Sequence, residues 1–366
     1  MDKAKPEDER WMRRALELAV GGRGRVEPNP MVGAVIVKDG RVIGEGFHRK
    51  FGEAHAEINA MAAAGEACRG ATLYVTLSPC SARDKKTPPC TDAVVAAGFA
   101  RVVVGTVDAT QPPALDMLRA ARIEVTEGVL RAECERLIAP FMKLKTRGMP
   151  WTIAKWAMTA DGKIATASGD SKWISCEESR RLVHQWRGEV DAVLIGRGTA
   201  EADDPLLTCR APGGRNPARI VLAGKAHLLL ESQLVKTASE APVIVACSRS
   251  ANASAVERLR KAGCEVLPLP SVERGVDIEA LLRELGARQF TNVLVEGGAE
   301  VLGDFFDRRM VDEVRVFIAP RVFGGKGAAS PVGGAGVETV AEALSLAEPS
   351  MERLGQDILL RGYVQE

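Results

Sequence analysis

Apolar residues recur at helical spacing over residues 7–21 (EDERWMRRALELAVG), and the run stops at Gly21-Gly22, so the chain opens on an amphipathic helix. The period then changes. MVGAVIV is apolar, Lys38-Asp39-Gly40 is a turn, and RVIGEG follows, which predicts strand, turn and strand over 31–47. An Ala-rich helix is predicted from His55 to Ala64, a strand from Ala71 to Leu77, a helix from Cys90 to Ala97 closed by Gly98, and a strand from Arg101 to Gly105. Residues 114–125 repeat helix then strand, and 129–146 read as an amphipathic connector interrupted by Pro140. Helices alternating with strands in this way predict a three-layer α/β domain.

Arg147-Gly148-Met149-Pro150 punctuates the chain, and a new strand, WTIAKWAM, starts at once. The expected domains are therefore 1–146 and 147–366. In the second, strands are predicted at 151–158, 191–196, 218–223, 242–247, 292–296 and 314–319. Helices are predicted at 176–188, 252–262, 277–286 and 299–308. The halves share their α/β class and no internal repeat.

Composition narrows the function classes. The chain has 366 residues, 46% hydrophobic and 27% charged, which suits two globular domains. Its net charge of +1 gives no global field toward nucleic acid or anionic lipid. No apolar run approaches the roughly 20 residues of a membrane span. The charged start, MDKAKPEDERWMRR, does not read as a secretory signal, so the cytoplasm is the expected compartment. Eight cysteines in this length are no disulfide framework. Six are scattered, whereas Cys80 and Cys90 sit beside prolines.

Those two cysteines acquire a purpose beside His55-Ala56-Glu57, which contains one of only four histidines. Three N/S ligands, His55, Cys80 and Cys90, with one open position are the donor set of a catalytic zinc. Cys90 and His55 each begin a predicted helix, where free N–H groups and the helix dipole favour a thiolate. Glu57, two residues from His55, can carry a proton from water to a departing amine without ligating the metal. This H-x-E…P-C…C pattern is the signature of the zinc deaminases, although the nine residues between the cysteines exceed the common C-x-x-C spacing. A closed structural zinc would want a fourth ligand. His48 is the one candidate, at a hairpin end.

Pro28-Asn29-Pro30-Met31-Val32-Gly33, Gly44-Glu45-Gly46-Phe47-His48, His55-Ala56-Glu57 and Lys86-Thr87-Pro88-Pro89-Cys90 resemble the motifs of the bifunctional riboflavin-biosynthesis deaminase/reductases, the RibD family. The resemblance extends over essentially the whole chain. It implies a cytidine-deaminase-like first domain that removes ammonia from a diaminopyrimidinone ribosylamino phosphate. Asn29 and His48 would hold the pyrimidine, and Lys86 would assist at the base or in the deamination. Three features depart from the family pattern. Ser78 stands where the family has Glu. The intercysteine loop, Ser81 to Thr87, lacks the family's His and Gly. The DPNP segment that contacts the sugar phosphate becomes Asp108-Ala109-Thr110-Gln111, which leaves Asp108 as the candidate contact. Arg83, Lys85 and Lys86 offer another phosphate contact or simply a solvated loop.

The second half has no G-x-G-x-x-G after its first strand, so a Rossmann fingerprint is absent. It has Glu296-Gly297-Gly298 between a predicted strand and helix, where backbone N–H groups can approach a phosphate. Asp161-Gly162-Lys163-Ile164-Ala165, the run from Ser168 to Ser175, and Ala202 to Thr208 recur in order in the family's reductase domain, whose fold is dihydrofolate-reductase-like. The resemblance implies reduction of the ribosylamino sugar by NADPH. Ser171, Arg187, Leu207, Arg210 and Glu296 would hold substrate. Ala157, Trp173, Thr199, Asp203 and the stretch from Gly298 through Gly303 to Asp304 would line the cofactor. Lys155 and Asp203 are candidates for acid or base. Where the family often has Asp-Ser after a strand, this chain has Leu222-Ala223-Gly224, and Lys225 is the candidate replacement toward the cofactor's 2′-phosphate.

The leading expectation is a two-step enzyme with zinc and NADPH, a small pyrimidine ribosylamino phosphate as substrate, no nucleic acid or membrane partner, and a homo-oligomeric state, dimer or tetramer. A second reading keeps the reductase and gives the deaminase half a changed substrate or no reaction. A nucleic-acid editing deaminase is disfavoured by the near-zero charge and few aromatics. A non-catalytic protein would have no need of Glu57.

Overall fold

The computed structural model describes residues 5–83, 88–273 and 275–365. The chain splits into two compact units, Met1–Arg147 and Gly148–Glu366.

The first unit runs α1 (Pro6–Ala19), β1 (Gly33–Lys38), β2 (Arg41–Phe47), α2 (Ala56–Ala64), β3 (Thr72–Leu77), α3 (Cys90–Ala97), β4 (Arg101–Thr106), α4 (Ala114–Ala120), β5 (Glu124–Glu127) and α5 (Arg131–Arg147). Its sheet has the order β2-β1-β3-β4-β5, antiparallel as far as β3 and parallel from there to β5. Alternation along the strands divides the core in two. Ala34, Ile36, Leu73, Val75, Val102 and Val104 face α2, α3 and α4. Val35, Val37, Tyr74 and Val103 face α1 and the start of α5. Apolar residues on both strand faces require helices on both sides, hence three layers. Glycines set how closely the helices approach. A Cβ at Gly46 would overlap the backbone nitrogen of Ala60, so α2 rests directly on β2. One buried ion pair ties α1 to the sheet. Arg101 donates to both oxygens of Asp8 at 2.7 and 2.9 Å, and the Tyr74 hydroxyl donates to the same carboxylate at 3.1 Å.

The first helix ends at Ala19 and tightens into a 3₁₀ turn, Val20–Gly22. The interruption expected at Pro140 does not occur. The α5 helix runs through it, with Ile138 buried before the proline and Phe141 and Leu144 after it. Packing on both sides holds a helix that has lost one N–H.

The second unit runs β6 (Trp151–Thr159), α6 (Glu177–Glu189), β7 (Ala192–Gly196), α7 (Arg197–Asp203), β8 (Ala218–Leu222), α8 (Gln233–Lys236), β9 (Val243–Ser248), α9 (Ala253–Lys261), β10 (Glu265–Leu269), β11 (Ser271–Val272), β12 (Gly275–Val276), α10 (Ile278–Ala287), β13 (Asn292–Val295), α11 (Ala299–Asp307), β14 (Glu313–Ala319), β15 (Leu346–Leu354) and β16 (Asp357–Val364). The main sheet has the order β10-β9-β8-β7-β13-β6-β14-β16-β15. It is parallel as far as β14, and β16 and β15 then add an antiparallel edge. Val193 and Ile195 pack toward Val183 and Trp186 of α6, and Ala192 and Leu194 toward α10 and α11. The pattern missed β15 because it is an edge strand, mostly exposed and carrying Pro349, with a register shift between Ala347 and Ser350.

Candidate active sites

In the first unit, β3 ends at Leu77 and delivers Cys80 into a loop, while α2 and α3 bring their N-termini to the same place. His55 is the N-cap residue of α2 and Cys90 is the first residue of α3. Their ligand atoms and the Cys80 Sγ all lie within 4.8 Å of one another. The Nδ1 of His55 is 3.2 Å from the Cys90 Sγ and 3.6 Å from the Cys80 Sγ, so Nδ1 is the nitrogen offered to a metal. The backbone N–H of Cys90 donates to the Cys80 Sγ at 3.3 Å. That N–H belongs to a helix start and stabilises a thiolate. The hydrogen bond between the sulfurs holds the Cys80 thiol down, to about 4, and pushes the Cys90 thiol up, where burial adds to it. Two sulfurs beside an imidazole are a donor set that a divalent cation would complete.

Glu57 is buried beside them, hydrogen-bonded to Cys90, and burial raises its carboxyl above the ordinary range. His48 is also buried, its ring edge-on to that of His55 with centroids 5.2 Å apart. The Nδ1 of His48 lies 3.1 Å from the Ala54 carbonyl, which can only accept, so Nδ1 carries the proton. Nε2 then accepts from the Asn29 amide at 3.1 Å. Asn29, His48, His55, Glu57, Cys80 and Cys90 are thus brought together. Lys86 lies outside the described residues, as do Lys85 and Thr87.

Asp108 is placed differently from the expectation. Its carboxylate is buried and turned into its own segment, accepting from the Thr110 N–H and hydroxyl on Oδ1 and from the Gln111 amide on Oδ2. Those bonds take three of the roughly four acceptor positions of the carboxylate and leave one on Oδ2 for any substrate contact. Arg83 is paired with Asp92 at 3.0 Å at the surface.

The second unit holds a cleft of about 1780 Å³ at the carboxyl ends of β7, β8 and β13, where open parallel sheets bind ligands. Ser171, Arg187, Leu207, Arg210 and Glu296 line it, with Ala157, Trp173, Thr199, Asp203 and Gly298. At its base, Arg187 donates to both oxygens of Glu296 at 2.6 and 2.8 Å, and the Lys155 Nζ lies 3.8 Å away. Burial pushes the Glu296 carboxyl up, but the Arg187 and Lys155 charges outweigh it and hold the group at about 2. Burial lowers Lys155 despite Glu296. Two basic side chains and one acid thus share the base of the cleft. Trp173 is 61% exposed at the rim, with the Arg180 guanidinium 4.8 Å from its ring centroid.

Gly303 corrects a prediction, because it does not line the cleft. A Cβ there would overlap the Gly333 carbonyl carbon, so this glycine lets α11 touch a neighbouring loop. Lys225 is exposed, and the cleft wall at this point is Leu222 and Gly224. His184 was missed. It lines the cleft from α6, its Nδ1 3.1 Å from the Thr208 carbonyl. Its signal was its spacing of three from Arg187, which puts both on one helix face.

Residues 5–106 match the cytidine and deoxycytidylate deaminase zinc-binding region, and residues 150–360 match the RibD C-terminal domain. The riboflavin biosynthesis protein RibD of Actinobacillus pleuropneumoniae is 40% identical over 96% of this chain and 93% of its own length. The chain belongs to the RibD family. Among RibD structures, that of Acinetobacter baumannii matches with a TM-score of 0.86 and 34% identity over 98% of this chain and 99% of that one. The diaminohydroxyphosphoribosylaminopyrimidine deaminase/5-amino-6-(5-phosphoribosylamino)uracil reductase of Thermotoga maritima matches with a TM-score of 0.84 and 39% identity over 98% and 99% of the two chains. The RibD architecture, a cytidine-deaminase-like unit followed by a dihydrofolate-reductase-like one, is the fold described above. Zinc serves the deaminase half and NADPH the reductase half.

Proposed function

We propose that this bifunctional RibD enzyme of riboflavin biosynthesis deaminates 2,5-diamino-6-ribosylamino-4(3H)-pyrimidinone 5′-phosphate in its first unit and reduces the ribosyl group of the resulting aminouracil to ribityl in its second. The observation that carries the reading is the His55 Nδ1 set against two cysteine sulfurs with a buried Glu57 beside them. His55, Cys80 and Cys90 would hold zinc, which when bound makes a water molecule acidic enough to attack the ring. Glu57 takes a proton and hands it to the leaving ammonia, a task suited to a carboxyl raised by burial. Asn29 would hold the pyrimidine, with its amide oriented by the bond to His48 Nε2. Lys86 keeps its expected assisting role.

In the cleft, NADPH supplies the hydride. Two basic side chains against one acid in the Lys155–Glu296–Arg187 trio favour an anionic substrate. Ser171, Leu207 and Arg210 complete the substrate side. Ala157, Trp173, Thr199, Asp203 and Gly298 form the cofactor side. Lys155, buried and lowered, is the group best placed to move a proton. The Asp203 carboxylate lies 3.6 Å from the Lys172 ammonium at the rim.

The inward-turned Asp108 favours a second reading, in which the deaminase half takes a changed substrate or has lost its reaction. Ammonia release by zinc-loaded protein, without NADPH, separates the two. Release that disappears in Glu57→Gln supports the first reading. No release from protein that still reduces the deaminated compound supports the second.

No helix among the described residues is long and apolar enough to cross a membrane, and the cytoplasm is the proposed compartment. A homo-oligomer, dimer or tetramer, is proposed from the family resemblance. The β15 edge, with Met351 75% exposed, agrees with it. Light scattering decides the state.

A further inference from the structure

We propose that Gln111 is a positioning residue for the Cys80 metal ligand. This rests on the proposed ligand role of Cys80. The chain around Cys80 is held from both sides by the segment that departs from the family pattern. Two residues before it, the Ser78 hydroxyl accepts from the Asp108 N–H at 3.0 Å. One residue after it, the Ser81 N–H donates to the Gln111 Oε1 at 3.2 Å, and the Ser81 hydroxyl donates to the Pro112 carbonyl at 2.6 Å. From the other direction, the Thr91 N–H and hydroxyl donate to the Cys80 carbonyl at 3.1 and 3.2 Å.

The Gln111 amide is the junction of this lattice. Its Nε2 donates to the Asp108 Oδ2 at 2.5 Å while its Oε1 receives the Ser81 N–H. Its orientation is dictated by its neighbours, because an ionised carboxylate can only accept and a backbone N–H can only donate. Asp108 is anchored in turn by Thr110. Ser78, Asp108, Gln111 and Ser81 therefore fix the peptides flanking Cys80, which orients its sulfur. Partners outside the ligand set of this kind change metal affinity by roughly 10–100-fold when they are lost.

The polarity of the chain of bonds gives a test that bulk destabilisation would not mimic. Gln111→Glu sets a carboxylate against Asp108 and breaks the junction. Adding Asp108→Asn restores it with the donors exchanged. The amide introduced at position 108 then donates to the carboxylate introduced at position 111. That carboxylate still accepts the Ser81 N–H, and the carbonyl of the new amide still accepts from Thr110. Zinc transfer to a chromogenic chelator is timed in the full chain for the wild type, Gln111→Met, Gln111→Glu and the double variant. Circular dichroism of the same chains reports that they are folded. The expected result is transfer at least tenfold faster in both single variants, a return to within about threefold of wild type in the double variant, and unchanged circular dichroism spectra. Wild-type transfer rates in both single variants, or a double variant as fast as Gln111→Glu, overturn the proposal. A wild-type chain that takes up no zinc at all overturns the ligand assignment on which it stands.

Discussion

Arg187 lays two N–H groups across both carboxylate oxygens of Glu296, at 2.6 and 2.8 Å, at the base of the reductase cleft. Both side chains are nearly enclosed, and Lys155 adds a second cation on the same acid. Removing the acid leaves two buried cations facing each other. Glu296→Gln should cost about 3–5 kcal/mol in the second unit and abolish reduction, while ammonia release continues. Denaturant unfolding and the two separate assays check this.

The same carboxylate gives the second unit a dependence on acid. Its folded value, about 2, lies below the ordinary 4.5, so the unfolded chain takes up the proton first as pH falls. The stabilisation is complete above about pH 4.5 and drains away toward pH 2. Melting curves across that window should fall less steeply in Glu296→Gln than in the wild type.

In the first unit, Asp8 and Arg101 form a buried pair with Tyr74 as a third partner. Asp8→Asn should lose about 1–3 kcal/mol, because the buried guanidinium keeps only the half-exposed Glu124, 2.9 Å away, as counter-charge. A double change to Asp8→Leu and Arg101→Met should recover more than half of that loss, because it removes both desolvation costs. Urea midpoints followed through deaminase activity measure both.

Glycine to alanine inside a helix ordinarily gains up to about 1 kcal/mol. At Gly303 the sign should reverse, since the new methyl would sit against the Gly333–Gly334 backbone. A net loss of about 1–3 kcal/mol is expected from overpacking, read as a lowered melting temperature.

Lys225 is exposed, and the cleft wall beside it is made by Leu222 and Gly224. Lys225→Ala should leave the KM for NADPH within about twofold. A tenfold rise would restore the phosphate contact suggested by the sequence.

The zinc cluster was readable in the sequence because its ligands are scarce residue types beside prolines and helix starts. Most strands and helices were readable because both units bury apolar residues with clear periods. The short α7 and α8 helices and the exposed β15 carry too little burial to leave such a period. The fate of Asp108 was written locally, in a carboxylate followed two and three residues later by Thr110 and Gln111, a pattern for side chains that bond their own segment. Gly303 was not readable, since a glycine that admits a ligand and one that admits a neighbouring backbone look alike in sequence. The Lys155–Glu296–Arg187 trio joins β6, α6 and the end of β13, and only the sheet order brings those together.

Gly148 and Met149, at the start of the second unit, are part of its packing. The Gly148 carbonyl sits so close to Gly286 of α10 that a Cβ there would overlap it, and Met149 is buried in the core of the second unit. The residues that look like a spacer are thus a plug for the second unit. A gene for a free-standing reductase should begin at Gly148 or earlier. One that begins at Trp151 would leave an open socket on α10 and yield poorly soluble protein.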